Sequence, residues 1–148
     1  MKVTWLITIL VFLLDYLIKN YLRLNFSFQS LPIIKNIFHI TIVFNEGAAF
    51  GMLRGKTHLL IVIGIIFLSI FYLILKSEKN KSLLFFAASG MIFGGAISNL
   101  YDRIVLGFVV DYLDFRIWPV FNLSDTCISV GAGLLILQSI HKHKKNPN

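Results

Sequence analysis

The chain has 148 residues, enough for one domain, and 57% of them are hydrophobic, with a mean hydropathy of +0.79. This apolar share exceeds the roughly 45–50% of a typical soluble domain, so a water-soluble fold could not bury it and the solvent is predicted to be lipid. The formal net charge is +7, and a single cysteine excludes an internal disulfide framework and any cysteine-only metal cluster.

Four apolar segments each approach the ~20 residues with which a helix crosses a ~30 Å hydrocarbon core. They span residues 4–22, 57–75, 83–101 and 121–140. We therefore predict a mainly α membrane protein, a bundle of four transmembrane helices that forms one integral-membrane domain over residues 1–148. The first segment carries charges inside its apolar run and lacks a small-residue cleavage site, so we expect it to be retained rather than removed as a signal peptide.

The lysines are concentrated on one predicted side of the membrane. They are dense near the N terminus, in the link after the second helix and in the C-terminal tail, which share one side of a four-helix bundle. Because short cytoplasmic segments carry an excess of lysine and arginine, both termini are predicted to be cytoplasmic. The lysines then act as membrane anchors, and the positive charge does not indicate a nucleic-acid partner.

The first outward link, residues 23–56, is long for a structureless loop. Its residues 39–45, HITIVFN, are rich in β-branched and aromatic types and predict a strand. Residues 45–47, NEG, predict a turn, after which the chain continues as AAFGML. We expect a small β-hairpin or sheet on the outer surface.

The second outward link, residues 102–120, contains Tyr112, Phe115 and Trp118. Aromatic residues favour the membrane interface. This link is therefore expected to lie along the surface, although its periodicity does not distinguish a helix from a strand.

Polar side chains converge at one predicted membrane depth. An aspartate near the bilayer centre costs about 2.5–3.5 kcal/mol on insertion scales, so such residues usually mark function or a specific partner. Three helices and one link send polar side chains toward the outer boundary, whereas the inner helix halves carry almost none. These residues are Asp15, Lys19, Asn99, Asp102, Arg103, Asp111, Asn122 and Asp125. Their convergence predicts a functional site.

Several of these residues also have purely structural interpretations. Asp15 and Lys19 are one helical turn apart and can pair with each other. Asn122 and Asp125 can cap the start of the fourth helix. Arg103 can extend its charge to the interface.

Other residues are expected to have structural roles only. We expect Asp114 to be a solvated surface charge. Small residues allow helices to approach closely within a membrane. Such contacts are predicted at Gly90, Gly94, Gly131 and Gly133.

The candidate acid–base groups at the outer boundary are carboxylates, and no Ser–His–Asp, Ser–Lys or Cys–His set is visible there. Two neighbouring carboxylates in a low-dielectric site share one proton, so one can activate water while the other protonates a leaving nitrogen. A turn at Pro119 would bring Asp111 and Asp125 face to face. The pattern favours aspartic-type amide hydrolysis, although proton-coupled transport also uses buried carboxylates.

At these residues the chain resembles lipoprotein signal peptidase, also called signal peptidase II, a family of aspartic peptidases. The resemblance spans nearly the whole chain and includes four motifs in order: DYLIK (15–19), FNEGAAFG (44–51), GGAISNLYDR (94–103) with GFVVD (107–111), and WPVFNLSD (118–125). It implies four transmembrane helices and a small extracytoplasmic β-cradle. The implied reaction removes signal peptides from bacterial prolipoproteins by cleavage before a diacylglyceryl-modified cysteine.

The resemblance also implies roles for individual residues. Asp111 and Asp125 would form a water-activating dyad, and Asp15, Lys19 and Asp102 would support the site. Substrate-contacting positions are implied at Asn45, Asn99, Arg103 and Asn122. We expect neither a metal nor an organic cofactor.

The implied partners are diacylglyceryl-modified prolipoproteins and membrane lipids, with no nucleic acid, and nothing in the sequence requires more than a monomer. The implied location is the bacterial inner membrane, with the active site near its extracytoplasmic face.

Two serines depart from the family pattern. Ser98 stands where glycine is usual, and Ser124 stands where alanine is usual. Ser124 adjoins Asp125 in the sequence, where a hydroxyl could alter the acidity of that carboxyl group, and the sequence leaves the effect of both serines open.

Two other functions fit parts of the pattern. A proton-coupled transporter would use the same carboxylates, but it predicts polar residues along the full membrane depth. A non-enzymatic assembly factor for membrane proteins would explain the outer β-element, but it gives no reason for Asp111 and Asp125 to be paired.

Overall fold

The structure is a computed structural model that describes residues 1–26, 30–48, 52–78 and 82–145. Within these residues the chain forms four helices, α1 (Lys2–Phe26), α2 (Thr57–Ser77), α3 (Leu83–Val105) and α4 (Leu123–Lys145). It also forms three strands, β1 (Ser30–Ile34), β2 (Phe38–Asn45) and β3 (Val109–Asp114). The predicted fold class, four membrane-spanning helices with a small β-element, is confirmed.

The four helices present apolar side chains outward instead of burying them. Leu6, Leu73 and Leu137 are each more than 60% exposed on the surface of the bundle. Each helix is long and apolar enough to cross a membrane. A helix satisfies its own backbone hydrogen bonds, so it can expose such side chains to lipid, and the chain is a multi-pass membrane protein.

Helix α3 is the centre of the bundle, since it packs against α1 and α4 and also contacts α2. A Cβ atom on Gly90 would lie 2.6 Å from the carbonyl oxygen of Thr4, and one on Gly131 would lie 2.7 Å from that of Ala88. Only glycine allows these backbones to approach so closely. The predicted close helix contact is therefore confirmed at Gly90 and Gly131. It is wrong for Gly133, where a Cβ atom would meet no atom of the described chain within 4 Å.

The sheet has the order β1-β2-β3, with β2 antiparallel to both neighbours. The hairpin turn lies at residues 35–37, where Asn36 adopts a positive φ of 62° that asparagine tolerates well. The turn predicted at residues 45–47 is present as a local turn after β2, where the Gly47 backbone N–H donates to Asn45 Oδ1, but it is not the turn of the hairpin, because β1 precedes β2. Residues 52–55 form a turn, and residues 49–51 of the AAFGML segment lie outside the described residues.

The link between α3 and α4 is exposed at Phe115, Ile117 and Trp118, as the prediction of a surface-lying segment expects, but β3 within it is buried. Val110 and Tyr112 are buried, and β3 is paired along one edge with β2. On its other side, the backbone N–H groups of Tyr112 and Leu113 donate to the carbonyl oxygen of Phe121 at 2.9 and 2.7 Å. This contact turns the chain back toward the start of α4 and encloses β3 between two segments.

Asp114, at the end of β3, is not the solvated charge that the sequence predicted. Its exposed fraction is 5%. One carboxylate oxygen accepts a hydrogen bond from the Thr41 hydroxyl at 2.8 Å and pairs with the Arg116 guanidinium at 3.0 Å. The other oxygen accepts from the Arg116 backbone N–H at 2.8 Å. Asp114 therefore fastens the far end of β3 to β2.

Candidate active site

A cavity of about 730 Å³ opens where the sheet meets α3 and α4. Five residues that the sequence assigned to a site line it: Asn45, Asn99, Arg103, Asp111 and Asp125. The structure thus brings residues from two strands and two helices, far apart in sequence, to one concave surface.

Asp111 reaches this cavity from the middle of β3 and is only 2% exposed. Its Oδ1 atom accepts a hydrogen bond from Asn122 Nδ2 at 2.7 Å, and its Oδ2 atom accepts one from Asn45 Nδ2 at 2.8 Å. Asp111 pairs with Val43 in the β2–β3 register, so Asn45, two residues further along, projects to the same face. Both oxygens are held by amide donors.

Asp125 lies in the first turn of α4. Asn122 Oδ1 accepts from the Asp125 backbone N–H at 2.8 Å, and Asp125 Oδ2 accepts from the Asn122 backbone N–H at 3.2 Å. This reciprocal pair is a capping box, so the capping interpretation of both residues is confirmed. The second oxygen, Oδ1, accepts from Asn99 Nδ2 at 2.8 Å. Capping therefore fixes the carboxylate at the cavity wall.

Asn122 connects the two aspartates and is fully buried. Its side chain donates to Asp111 Oδ1 at 2.7 Å and to Asn99 Oδ1 at 3.1 Å, while its backbone N–H donates to Asp125 Oδ2. One residue thus contacts both carboxylates, which restricts their relative movement.

The surroundings of Asp111 make it a weaker acid than usual. Burial, followed by the neighbouring charge of Asp125, raises the pKa of Asp111 to about 7, against the opposing effect of the hydrogen bonds from Asn45 and Asn122. Near neutral pH this carboxyl group therefore carries a proton for much of the time. Two such neighbours titrate as a pair.

A buried ion network lies beneath the cavity. Lys19 Nζ is 2.7 Å from Asp15 Oδ2 and 2.9 Å from Asp102 Oδ2, and it donates to Asn99 Oδ1 at 3.0 Å. The predicted pairing of Asp15 with Lys19 is confirmed, and Asp102 pairs with the same lysine. Asp102 Oδ2 also accepts from the Val110 backbone N–H at 3.2 Å. Buried charges need partners of this kind.

The Ser124 hydroxyl bonds to α1 rather than to its chain neighbour Asp125. The hydroxyl donates to Asp15 Oδ2 at 2.5 Å, and the Ser98 hydroxyl donates to the same oxygen at 2.7 Å. Successive residues of a helix point about 100° apart, so Ser124 faces α1 while Asp125 faces the cavity.

Arg103 contacts a loop as well as its own helix. Its guanidinium donates to the carbonyl oxygen of Gly47 at 3.1 Å and, more weakly, to that of Asn99 at 3.4 Å. Gly47 in turn donates its backbone N–H to Asn45 Oδ1 at 2.9 Å. Arg103 thus connects α3 to the loop that follows β2, on which Ala48 lines the cavity.

Tyr112 is a site component that the sequence treated only as an interfacial aromatic residue. Its hydroxyl donates to Asp15 Oδ1 at 3.2 Å and accepts from the Leu123 backbone N–H at 3.1 Å. The available signal was its position beside Asp111, because neighbours in a strand point to opposite faces.

The described residues contain no group of three or more His, Cys, Asp and Glu side chains arranged to hold a metal ion.

Comparison with known proteins connects this geometry to one family. Residues 7–141 match a family model described as signal peptidase (SPase) II. A lipoprotein signal peptidase from Halothermothrix orenii is 48% identical over 135 residues, covering 90% of this chain and 92% of that protein. One from Desulfitobacterium hafniense is 42% identical over 144 residues, with 95% of each chain covered.

A solved structure described as a bacterial membrane enzyme superposes with a TM-score of 0.89 at 29% identity. The aligned region covers 100% of this chain and 93% of the chain in that structure. Together with the sequence matches over most of the chain, this similarity shows that the chain belongs to the signal peptidase II family of membrane proteases.

Proposed function

We propose that this protein removes signal peptides from bacterial prolipoproteins by cleaving before the diacylglyceryl-modified cysteine, with Asp111 and Asp125 as a water-activating dyad. Membership of the signal peptidase II family implies prolipoprotein signal peptide cleavage. The observation that carries the mechanism is the cavity in which both carboxylates lie, connected through Asn122.

In the first step, the ionised Asp125 carboxylate accepts a proton from a water molecule as that water attacks the scissile carbonyl carbon. Asp111 begins this step with its proton and transfers it to the carbonyl oxygen, which becomes a hydroxyl. The raised pKa of Asp111, about 7, supports this assignment, because an ordinary aspartate would hold no proton at neutral pH. The product is a tetrahedral diol.

In the second step, Asp125 returns its proton to the leaving nitrogen while Asp111 takes one back from the diol. The carbon–nitrogen bond breaks, which releases the signal peptide with a new carboxyl group and the mature lipoprotein with a free amino group on its lipidated cysteine. Both aspartates end in their starting protonation states, so the dyad is ready for another cycle.

The neighbouring amides have a defined part in this mechanism. Asn45, Asn99 and Asn122 donate to the two carboxylates, so we propose that they orient the dyad in addition to contacting substrate. Arg103 holds the carbonyl oxygen of Gly47, and we propose that it keeps the cavity-lining loop at Ala48 in place against the substrate backbone.

We further propose that the sheet faces the extracytoplasmic side of the bacterial inner membrane. Lys142 near the end of α4 lies 3.4 Å from Glu78 after α2, at the opposite end of the bundle from the sheet. Lysines cluster in these two segments, and Lys2 lies near the N terminus; such lysine-rich short segments favour the cytoplasmic side. The cavity then lies near the membrane boundary, the depth of a lipid-anchored cysteine. We propose a monomer, because the described residues that line the cavity, including both aspartates, come from one chain.

The test is cleavage of a synthetic prolipoprotein peptide by the purified full chain in detergent. The peptide is supplied with and without diacylglycerol on its cysteine, and the products are mapped by mass spectrometry. We expect one cut immediately before the lipidated cysteine and little turnover of the unmodified peptide. Asp111→Asn supplies the inactive control.

An intact lipidated peptide in the presence of folded wild-type protein would exclude the proposed substrate. A cut at another position, or equal cleavage of both peptides, would show that the lipid is not what the cavity selects.

A further inference from the structure

Asp15 is a carboxylate in the outer part of α1 with an exposed fraction of 0%. Four donors from four elements surround it. Tyr112 of β3 donates to Oδ1 at 3.2 Å, while Ser98 of α3, Ser124 of α4 and Lys19 of α1 itself contact Oδ2 at 2.7, 2.5 and 2.7 Å. Asp15 shares the counterion Lys19 with Asp102, and an ion pair does not by itself require three hydroxyl groups around the carboxylate.

Two of these hydroxyls belong to the chain neighbours of the proposed catalytic aspartates. Tyr112 follows Asp111, and alternation along β3 directs one side chain into the cavity and the other toward α1. Ser124 precedes Asp125, and the helical rotation between them has the same effect. Each aspartate is therefore one residue away from a hydroxyl that is bonded to Asp15.

The Tyr112 hydroxyl adds a direct connection between the two catalytic segments. While donating to Asp15, it accepts from the backbone N–H of Leu123, the first residue of α4. Burial, together with the nearby charge of Asp15, raises the pKa of Tyr112, so the hydroxyl stays protonated and remains a donor at all working pH values. The Tyr112 hydroxyl therefore fixes the distance between the start of α4 and the middle of β3.

We infer that Asp15 is a positioning residue, which fixes the relative placement of Asp111 and Asp125 by accepting hydrogen bonds from Tyr112 and Ser124. The inference rests on the proposed dyad. Asp15 touches neither the cavity nor the substrate, since it is enclosed beneath both. Its effect reaches the reaction through two backbone segments, each of which carries one reacting carboxylate.

The test compares Tyr112→Phe, Ser124→Ala and the double variant with wild type, using purified full-length protein and the lipidated peptide. Each single variant should lower kcat by roughly 3- to 10-fold with KM nearly unchanged, as expected for loss of one hydrogen bond that orients catalytic groups. Because both hydroxyls act through one carboxylate, the double variant should lose less than the product of the two single losses.

Thr8→Val is the matched control. The Thr8 hydroxyl is also buried on α1, but it donates to the carbonyl oxygen of Gly90, on the side of the bundle away from the sheet. We expect this variant to lower the thermal midpoint of unfolding about as much as the site variants do, with kcat within about twofold of wild type.

Wild-type kcat in both Tyr112→Phe and Ser124→Ala, with only a lower thermal midpoint, would overturn the inference and leave Asp15 a structural residue. Equal loss of kcat in Thr8→Val would overturn it as well. Failure of the proposed dyad can be distinguished from failure of the inference about Asp15, because Asp111→Asn and Asp125→Asn would then retain turnover whatever the hydroxyl variants do.

Discussion

The two halves of the helical bundle are held together by different interactions, and α1 takes part in both. Away from the sheet, Thr8 donates to the carbonyl oxygen of Gly90, and a Cβ atom on Gly94 would lie 2.8 Å from the carbonyl oxygen of Thr8. Near the sheet, α1 contributes Asp15 and Lys19 to a buried network of ions and hydroxyls. Both halves contain close packing of small residues, but only the half near the sheet adds the buried charges of Asp15, Lys19 and Asp102.

This difference distinguishes the contacts that close the bundle from the contacts that we propose to serve the reaction. Helices in a membrane can associate by packing small residues alone, so charged groups are not needed to close a bundle. Burying charges costs free energy that a good geometry only partly offsets. The polar network lies directly beneath the cavity, and we propose that it is retained there for the reaction.

Removal of Lys19 should have the largest effect on folding. Lys19→Met leaves Asp15 and Asp102 buried without a counterion, which typically costs about 3–5 kcal/mol. We expect a large fall in the thermal midpoint in detergent and loss of cleavage. Lys142→Met is the control, because Lys142 is 54% exposed beside Glu78 and its pair contributes little. An unchanged thermal midpoint for Lys19→Met would show that the buried ion network does not stabilise the half of the bundle near the sheet.

The close-packed half should respond to a single methyl group. A Cβ atom on Gly94 would lie 2.7 Å from that of Val11, so Gly94→Ala should destabilise the bundle by about 1–3 kcal/mol through overpacking. The activity of the fraction that folds should stay near wild type, because the site is in the other half. Gly133→Ala is the matched control, since no atom of the described residues lies within 4 Å of a Cβ atom at that position and no loss of stability is expected. Equal destabilisation by both variants would contradict the packing account.

The polar half should respond to pH. Because the pKa of Asp111 is raised to about 7, its proton is lost as the pH rises through that value, and kcat/KM should fall on the alkaline side. The free energy of unfolding changes in the same direction as kcat/KM, because the folded chain binds this proton more tightly than the unfolded chain. The free energy of unfolding therefore declines as pH rises between the ordinary aspartate pKa and about 7. A pH–rate profile that stays flat from pH 6 to 9 would contradict the assignment.

The smallest effect is expected from chelation. In the proposed mechanism the two aspartates supply both the acid and the base, so EDTA at millimolar concentration should change the cleavage rate by less than about twofold. The measurement is an initial rate before and after dialysis against the chelator. A reproducible loss that zinc or magnesium restores would contradict a metal-independent dyad.

The sequence predicted those features that depend on local pattern. Apolar length alone identified four helices, and four-residue spacing identified the pairing of Asp15 with Lys19. The turn that NEG predicts is present at the end of β2, where Gly47 bonds to Asn45, but the turn that connects β1 to β2 lies at residues 35–37. Local signals of equal strength do not say which turn connects two paired strands.

The contacts that the sequence missed join distant residues. Tyr112 and Ser124 are 97 and 109 positions from Asp15, and no local pattern encodes that approach. Asp114 was expected to be solvated because aspartates usually are, yet Thr41 and Arg116 enclose it. Which glycine faces a neighbouring helix also depends on rotation, so Gly133 was included and Gly95, which packs against the backbone of Ser124, was not.

The central claim is tested most directly by comparing the three aspartates of residues 111–125 in one assay of binding and turnover. Asp111→Asn and Asp125→Asn should each bind the lipidated peptide with near wild-type Kd, while kcat falls by about a thousandfold or more, because the amide can neither supply nor accept the proton. Asp114→Asn, a buried aspartate of the same strand as Asp111, should keep kcat within about tenfold of wild type. Wild-type turnover in Asp111→Asn or Asp125→Asn would contradict the dyad.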